Sequence, residues 1–268
     1  MKIMEYKISG NDIILHETEF DLDQTLDCGQ AFRWTKIADS CYSGYFIDKP
    51  LKISSEGEYV TLHDTCEKDF LEVWVPYFDL ERSYCELKLK YSADPTLKAA
   101  CEYSGGIRLL RQDPWECLVS YIFSSNNNIT RIKGIIARLV ERYGRFPTPE
   151  MLACETPDTL ADLRSGFRAK YVIDGAQKVL SGEVDLGKCV RLPYDEAKAE
   201  LMKIKGVGPK VADCVLLYSL DKLDAWPIDV WIKRVMETYY PDGLPECMSG
   251  TRGIAQLYLF NYIRNLEK

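Results

Sequence analysis

Apolar and polar positions alternate along the first part of the chain in short segments that are typical of β-strands. Five such segments are rich in aromatic and β-branched residues: residues 12–20, 31–37, 41–47, 51–54 and 59–63. Glycine, proline, aspartate and serine separate these segments at the spacing of hairpin turns. The pattern predicts an antiparallel sheet at the N-terminal end of the chain.

From Cys66 onward the apolar residues recur at the helical period instead. Asp113, Pro114 and Glu116 form a helix start of the capping-box type. Longer helices are predicted over residues 129–143, 169–181, 194–203, 209–220, 230–239 and 251–266, with shorter ones beginning at Thr148 and Thr156. We therefore predict an α+β protein, with an N-terminal antiparallel β domain and its flanking helix over residues 1–95 and a helical body over residues 96–268.

The most informative segment is a glycine turn between two of the predicted helices. Gly206 and Gly208 allow the backbone to turn sharply and to approach other groups closely. The second helix then begins at Pro209, and the unpaired backbone N–H groups at its start favour a phosphate. Residues 194–220 are thus predicted to form a helix-hairpin-helix, which grips the DNA backbone without reading its sequence. Such hairpins also occur in proteins that do no base chemistry.

Lys210 lies in the first turn of the second helix of this hairpin. The positive end of the helix dipole disfavours a cation there, and a neutral amine is what a Schiff-base nucleophile needs. Asp213, three residues later, would act in the opposite direction. The hairpin alone favours a simple phosphate contact by Lys210 over a nucleophilic role.

Asp229 follows Lys210 by 19 residues and directly precedes a predicted helix. Aspartate at that place is a good N-cap, which holds the carboxylate in a fixed position and keeps it ionised. A capping carboxylate that faced Lys210 would also stabilise a cationic sugar in a transition state. The structural and the catalytic roles are compatible.

The overall charge does not by itself indicate a nucleic-acid partner, because the 268-residue chain carries a net charge of −7. The basic residues are unevenly placed, however. Residues 131–145 contain five arginines and lysines against one acid, and smaller basic groups lie at residues 164–170 and 203–210. An acidic protein with this distribution is able to present one basic face.

The ten cysteines are scattered, form no CxxC pair, and are accompanied by only two histidines. We therefore expect no metal site. The N-terminus has no long apolar run, so neither a signal peptide nor a membrane span is predicted. Scattered thiols without a secretory signal favour a reducing, intracellular location, which would be the cytoplasm or nucleoid in a prokaryote.

Six segments together resemble the 8-oxoguanine DNA glycosylase/lyase family of the helix-hairpin-helix DNA glycosylase superfamily. They are residues 29–34 (Gly-Gln-Ala-Phe-Arg-Trp), 124–129 (Ser-Ser-Asn-Asn-Asn-Ile), 167–171 (Phe-Arg-Ala-Lys-Tyr), the hairpin with Lys210, 227–230 (Pro-Ile-Asp-Val), and 253–256 (Gly-Ile-Ala-Gln) ahead of Phe260. They occur in the order typical of the family and span most of the chain. The resemblance implies an N-terminal antiparallel sheet domain packed on a two-part, all-helical glycosylase body.

The resemblance also implies catalytic roles. Lys210 would attack the anomeric carbon, expel the base and form an imine that permits β-elimination of the strand, while Asp229 would assist. The damaged base would enter a pocket of four residues, Gly29, Cys214, Gln256 and Phe260. In this pocket the Gly29 carbonyl would accept the N7 hydrogen that distinguishes 8-oxoguanine from guanine.

A second group of residues is implied to act where the base has left the helix. Asn126, Arg131, Phe167 and Arg168 would fill the gap and hold the orphaned cytosine, with Phe167 as an apolar wedge. Gly206 and Gly208 would contact phosphates at the hairpin. The implied partner is double-stranded DNA that contains oxidised guanine, bound by a monomer. No cofactor is expected, although a cation coordinated by the backbone at the hairpin turn is compatible with the family.

The chain departs from the family pattern at two places. Phe167 stands where eukaryotic members have tyrosine, and Trp231 stands where they have a histidine that contacts phosphate. The four-cysteine iron–sulfur pattern of the endonuclease III branch is absent, and Lys210 argues against the alkyl-base branch. Two alternatives stay open: a glycosylase of the same fold for another lesion, and a non-catalytic DNA-binding module that uses the hairpin only as a clamp.

Overall fold

The alternating N-terminal segments form a six-stranded sheet in the computed structural model, which describes residues 5–17 and 19–266. The strands are β1 (Tyr6–Ser9), β2 (Asp12–His16), β3 (Thr35–Ala38), β4 (Cys41–Phe46), β5 (Lys49–Glu56) and β6 (Tyr59–His63). Every neighbouring pair is antiparallel, in the order β1-β2-β6-β5-β4-β3. The predicted antiparallel sheet is therefore confirmed, and β1 is a strand that the sequence pattern did not indicate.

Two strands are shorter than predicted because a helix lies between them. β2 ends at His16 and β3 begins only at Thr35, whereas residues Leu22–Leu26 form a short helix, α1. The Asp21 side chain caps α1 by accepting a hydrogen bond from the Gln24 N–H at 2.9 Å. This local hydrogen bond competes successfully with strand formation.

One face of the sheet packs against an aromatic cluster. Trp34, Trp74, Tyr77 and Phe78 are each at most 3% exposed, and Trp34 Nε1 donates to the Tyr77 hydroxyl at 2.7 Å. The Trp34 ring lies so close to β4 that a Cβ atom built on Gly44 would be 2.4 Å from the indole. The sheet therefore needs glycine at this place.

The helical period of the remaining sequence produces the other helices. They are α2 (Glu67–Asp69), α3 (Val75–Tyr77), α4 (Tyr84–Tyr91), α5 (Pro95–Tyr103), α6 (Pro114–Ser124), α7 (Ile129–Tyr143), α8 (Pro149–Ala153), α9 (Ala169–Leu180), α10 (Leu186–Arg191), α11 (Tyr194–Leu201), α12 (Pro209–Leu220), α13 (Val230–Tyr239) and α14 (Arg252–Leu266). The predicted bounds of α7, α12 and α13 are confirmed at both ends. Within the described residues, no helix combines the length and the apolar character that crossing a membrane requires.

The helix predicted to begin at Thr156 is absent from the described chain, which makes a turn there instead. The Thr156 N–H donates to the Thr159 hydroxyl at 2.9 Å, and the Thr159 N–H approaches the Thr156 hydroxyl at 3.2 Å. These hydroxyls satisfy the backbone in a non-helical conformation. A single 3₁₀ turn, Ala161–Leu163, follows.

The chain divides into two compact units. One contains Met1–Arg111 together with Ile228–Lys268, and the other contains Gln112–Pro227. This division differs from the predicted one, which placed the domain boundary between residues 95 and 96 and all later residues in the helical body. The C-terminal segment packs with the sheet unit instead. There α5 packs on α14, and the Tyr91 hydroxyl donates to the Thr251 carbonyl at 3.0 Å.

The contact between Trp34 and Gly44 predicts a localised loss of stability. We expect Gly44→Ala to lower the free energy of unfolding by about 1–3 kcal/mol, because the new methyl group overpacks the indole. Ser43→Ala, on the neighbouring position of β4, serves as the control and should change it by at most about 0.5 kcal/mol. Thermal unfolding followed by circular dichroism measures both variants. Equal melting temperatures for the two would contradict the overpacking argument.

Candidate active site

The two glycines of the hairpin have different structural roles. Gly206 has a φ of +82°, and a Cβ atom there would lie 2.3 Å from the Tyr171 ring of α9. Gly208 directly precedes α12, and a Cβ atom on it would meet nothing within 4 Å. Gly206 thus permits close packing of the turn on α9, whereas Gly208 leaves the start of α12 open.

A hydrogen bond from α9 also holds the turn. The Lys205 N–H donates to Asp174 Oδ2 at 2.8 Å, and the Lys205 ammonium lies 3.5 Å from Asp174 Oδ1. A cavity of about 630 Å³ adjoins this turn, lined in part by Tyr171, Asp174 and Lys205. The predicted helix-hairpin-helix over residues 194–220 therefore comprises α11, an anchored turn and α12.

Lys210 is the second residue of α12 and is half-buried. Its Nζ lies 5.4 Å from the centre of the Tyr121 ring on α6. Tyr121 in turn stacks on Tyr218 of α12, with ring centres 5.5 Å apart and an interplanar angle of 7°. Among the described residues, Lys210 has no ion-pair partner. The amine thus lies over one ring of a stacked aromatic pair, which the sequence pattern did not indicate because both tyrosines occupy ordinary core positions.

Asp213 does not take the position beside Lys210 that its spacing suggested. Its carboxylate accepts a hydrogen bond from the Tyr194 hydroxyl at 2.6 Å and lies 2.8 Å from Lys198 Nζ. Both partners belong to α11, so the carboxylate is engaged between the two helices of the hairpin. The spacing of these residues along the chain did not predict this pairing.

Asp229 is the N-cap of α13, as predicted. Its Oδ1 accepts hydrogen bonds from the Trp231 N–H at 3.0 Å and the Ile232 N–H at 2.9 Å. Two backbone donors therefore hold the carboxylate at the positive end of the α13 dipole. The carboxylate therefore has the fixed position that an electrostatic role needs.

The turn at Gly29 is locked by the next residue. Gly29 has a φ of +98°, a conformation that favours glycine. Gln30 is 2% exposed, and its amide donates to the carbonyls of Thr25 at 3.0 Å and Arg108 at 2.7 Å. Its Oε1 accepts from the Leu110 N–H at 2.9 Å. Gln30 thus anchors the chain directly after Gly29, a structural role that the sequence motif did not explain.

The C-terminal helix α14 approaches the same turn. Gln256 is 6% exposed, and Phe260, one helical turn later, is half-buried. The Arg264 guanidinium lies 5.8 Å from the Phe260 ring and donates to the Cys28 carbonyl at 3.3 Å. Three of the predicted pocket residues therefore belong to one compact unit, with Arg264 linking the Phe260 helix to the residue before Gly29.

The loop before α7 carries Asn126 in a left-handed conformation, with a φ of +49° and an exposed side chain. Arg168, which is 3% exposed, donates to the carbonyls of Ser125 at 2.7 Å, Asn126 at 2.7 Å and Ser165 at 3.1 Å. Burial, with a smaller contribution from the nearby Arg131 cation, lowers the pKa of Arg168. The structure thus brings Arg168 and Asn126 together, and Arg168 supports the loop.

The other two residues predicted to fill the gap left by a flipped base in the DNA are exposed to solvent. Phe167 is 50% exposed, and its ring meets the Tyr171 ring edge-on with centres 5.8 Å apart. Arg131 is exposed in the first turn of α7, whose N-cap Asn128 accepts from the Arg131 N–H at 2.9 Å. A protruding ring and an exposed guanidinium suit contacts with another molecule.

The twelve predicted site residues divide between the two units. Gly29, Asp229, Gln256 and Phe260 belong to the sheet unit. The helical unit contains Asn126, Arg131, Phe167, Arg168, Gly206, Gly208, Lys210 and Cys214. In the part of the chain that the structure describes, no group of three histidine, cysteine, aspartate or glutamate side chains is placed to hold a metal ion.

Comparison with known proteins identifies both parts of the chain. The family model of the 8-oxoguanine DNA glycosylase N-terminal domain matches residues 12–118. The model of the HhH-GPD superfamily of base excision DNA repair proteins matches residues 119–243. Together with the structural matches described next, these models confirm the predicted α+β fold with an N-terminal antiparallel sheet and a helix-hairpin-helix body.

Individual relatives agree with these models. The N-glycosylase/DNA lyase of Saccharomyces cerevisiae is 32% identical, over 88% of this chain and 72% of the relative. The 8-oxoguanine glycosylase/lyase of Clostridium acetobutylicum, bound to DNA with cytosine opposite 8-oxoguanine, superposes with a TM-score of 0.91 at 36% identity, over 100% of this chain and 99% of that one. MBOgg1 in complex with a low-affinity DNA ligand gives a TM-score of 0.95 at 40% identity and full coverage of both chains. This chain therefore belongs to the 8-oxoguanine DNA glycosylase family and is a bifunctional N-glycosylase/DNA lyase.

Proposed function

We propose that this chain excises 8-oxoguanine opposite cytosine from duplex DNA and then cleaves the strand through an imine formed by Lys210. The observation that carries the proposal is the position of the Lys210 amine. It lies in the first turn of α12, directly after a hairpin with an open helix start, on the Tyr121 ring and without an ion-pair partner in the described residues. The relatives named N-glycosylase/DNA lyase support the same chemistry.

In the first step the Lys210 nitrogen attacks C1′ of the extruded nucleotide. The bond from C1′ to the base nitrogen breaks, its electron pair leaves with the base, and the proton lost by the amine neutralises the base. The Asp229 carboxylate stabilises the positive charge that develops on the sugar, because its own position is fixed by two backbone hydrogen bonds.

The lyase step follows from the same covalent bond. Opening of the sugar ring converts the amine adduct into a protonated imine. Loss of a proton from C2′ then sends electrons toward the imine, and the C3′–O bond breaks with departure of the phosphate. Because the imine is itself the electron sink, we expect no organic cofactor. A cation held by the backbone at the hairpin turn is compatible with this scheme.

Base selection in this proposal depends on the Gly29 carbonyl. 8-Oxoguanine has a hydrogen on N7, whereas guanine has a lone pair there, so one rigid acceptor discriminates between them. A buried polar group left unpaired costs about 1–3 kcal/mol. Gln30 supplies the rigidity through its buried hydrogen bonds.

The remaining pocket residues would hold the flipped base. Gln256 would read its Watson–Crick edge, and Phe260 and Cys214 would cover its two faces. Support comes from position: Gln256 and Phe260 are one turn apart on α14, and Cys214 follows Lys210 by one turn of α12.

The gap in the DNA would be filled from the helical unit. Phe167 would enter as the wedge, since its ring is already exposed, and Asn126 would lie beside it. Arg131 would donate to the acceptors of the orphaned cytosine. Arg168 would join it only by exchanging one of its loop carbonyls for the base, because its guanidinium supports the Asn126 loop in the free protein.

Contacts with the DNA backbone would come from the hairpin and from basic side chains. Backbone N–H groups around Gly206 and Gly208 would contact phosphate at the start of α12. The basic residues on α7 would supplement this contact despite the net charge of −7. We expect one copy of the chain to act alone, in an intracellular compartment.

The role of Lys210 is tested by trapping the imine. With borohydride and a duplex containing 8-oxoguanine, we expect the native chain to form a covalent adduct and Lys210→Gln to form none. Lys222→Gln, just beyond the other end of α12, is the matched control and should be trapped like the native chain. An adduct with Lys210→Gln would place the nucleophile elsewhere, and absence of an adduct from the native chain would indicate a non-catalytic binding module.

A panel of lesions tests the substrate. Duplexes with 8-oxoguanine, thymine glycol, 3-methyladenine or uracil are incubated with the native chain, and the released bases are measured. Release of 8-oxoguanine is the expected result. Release of another lesion alone would favour a glycosylase of this fold with a different specificity.

Asp229→Asn separates the two roles of Asp229. Asparagine caps helices as well as aspartate does, so we expect the free energy of unfolding to change by only about 0.5 kcal/mol. The excision rate should fall by ~10²-fold or more, because a fixed charge beside the cationic sugar is lost. Asp185→Asn, at the N-cap of α10, makes the same exchange at a helix without a proposed role and should retain the native rate. A fast Asp229→Asn variant would refute the electrostatic role.

Arg131→Ala tests the contact with the opposite base. Each good bidentate contact supplies about 1–3 kcal/mol of discrimination, so we expect the preference for cytosine over the other opposite bases to weaken by that amount. Lys133→Ala, on the same helix, should leave the ratio unchanged. Single-turnover excision from the four duplexes measures the preference, and equal selectivity of Arg131→Ala and the native chain would exclude the proposed contact.

A further inference from the structure

The carboxylate of Asp213 is the nearest acid to Lys210 along α12, three residues further on. Oppositely charged residues at this spacing pair readily on a helix surface. A carboxylate paired with Lys210 would stabilise the ammonium form and would tether the nitrogen that has to reach the sugar. An active Lys210 therefore requires that Asp213 be engaged elsewhere.

Two residues of α11 provide that engagement. The Tyr194 hydroxyl donates to Asp213 Oδ1 at 2.6 Å, and Lys198 Nζ donates to Asp213 Oδ2 at 2.9 Å. Lys198 Nζ also donates to the Tyr194 hydroxyl at 2.9 Å, which closes a three-membered cluster. Tyr194 and Lys198 are four residues apart on α11, so both face the same side of that helix.

The cluster balances its charge internally. Asp213 is 4% exposed, and a buried carboxylate without a cation would be costly. Burial alone would lower the pKa of Lys198, but its hydrogen bonds to Asp213 and Tyr194 outweigh burial and raise it. Burial, and then the bond to Asp213, also raise the pKa of Tyr194. Lys198 therefore stays an ammonium and Tyr194 a neutral phenol beside the Asp213 side chain.

Lys210 faces a different neighbour. Its Nζ lies over the Tyr121 ring of α6, whereas the Asp213 cluster lies against α11. We propose that Lys198 and Tyr194 are positioning residues for the nucleophile, which hold the Asp213 carboxylate against α11 and neutralise it so that Lys210 keeps an unpaired amine. This inference rests on the proposed role of Lys210 as the nucleophile.

Removal of the Lys198 charge should redirect the carboxylate. In Lys198→Met the buried Asp213 loses its cation, and Lys210 becomes the nearest one along the helix. In single-turnover excision of 8-oxoguanine with enzyme in excess, we expect the rate constant to fall by ~10-fold or more, because a smaller fraction of Lys210 would carry a free amine. The dissociation constant for a duplex with an uncleavable abasic-site analogue should change by less than ~3-fold, since the hairpin backbone is retained. Tyr194→Phe should show a smaller slowing in the same direction.

A second substitution distinguishes the effect of the uncompensated Asp213 charge from the loss of Lys198 as a structural contact. Adding Asp213→Asn to Lys198→Met removes the orphaned charge, and we expect the rate constant to return to within ~3-fold of the native value. Lys88→Met is the control for a lost ion pair: Lys88 is 24% exposed and lies 2.8 Å from Glu19, compared with 23% and 2.8 Å for Lys198 and Asp213. Lys88 belongs to the sheet unit, and we expect Lys88→Met to retain the native rate constant.

Three results would overturn the inference. They are a native rate for Lys198→Met, a double variant as slow as Lys198→Met, and a loss of DNA affinity that accounts for the whole slowing. Each leaves the proposed function intact, because the native chain still releases 8-oxoguanine and is trapped by borohydride. A native chain that does neither would instead refute the proposed function.

Discussion

The contact between the Gly206 backbone and the Tyr171 ring determines the geometry of the hairpin. Only a residue without a Cβ atom fits there, since an added carbon would lie 2.3 Å from the ring. The contact fixes where the turn ends and therefore where α12 begins. The open start of α12, and the presence of Lys210 in its first turn, both follow from that point. Tyr171 also touches Phe167, so the hairpin and the exposed ring of Phe167 share one support.

The chain is acidic overall, but carboxylates near its functional elements bond to the protein's own backbone or lysines. The acidic composition is therefore compatible with a DNA partner. Asp174 accepts a hydrogen bond from the hairpin backbone and lies near two lysines, Lys178 and Lys205. Asp213 is neutralised by Lys198, and Asp229 caps α13. Acids around the functional elements thus anchor backbone or pair with a partly exposed lysine, whereas Arg131 stays exposed on α7 to attract DNA.

Much of the fold was predictable because the signals are local. The caps Asp113, Asn128 and Asp229 each bond a backbone N–H two or three residues ahead, and these helices begin where the sequence indicated. The strand that includes Tyr6, the turn at Thr156 and the helix Leu186–Arg191 were not predicted. Each of these segments is short and shows little periodicity, and at Thr156 local side-chain hydrogen bonds favour a turn over the predicted helix.

The sequence by itself determined the α+β class, the hairpin, the candidate nucleophile and the N-cap of α13, since each depends on neighbouring residues or on a motif read along the chain. Tertiary structure alone decided which partner each polar side chain takes. It engaged Asp213 with α11, placed Tyr121 beneath Lys210, committed Arg168 to the Asn126 loop and buried Gln30 behind Gly29. The reason is that helical spacing defines the face on which a side chain lies, whereas its partner depends on which other helix or loop packs against that face.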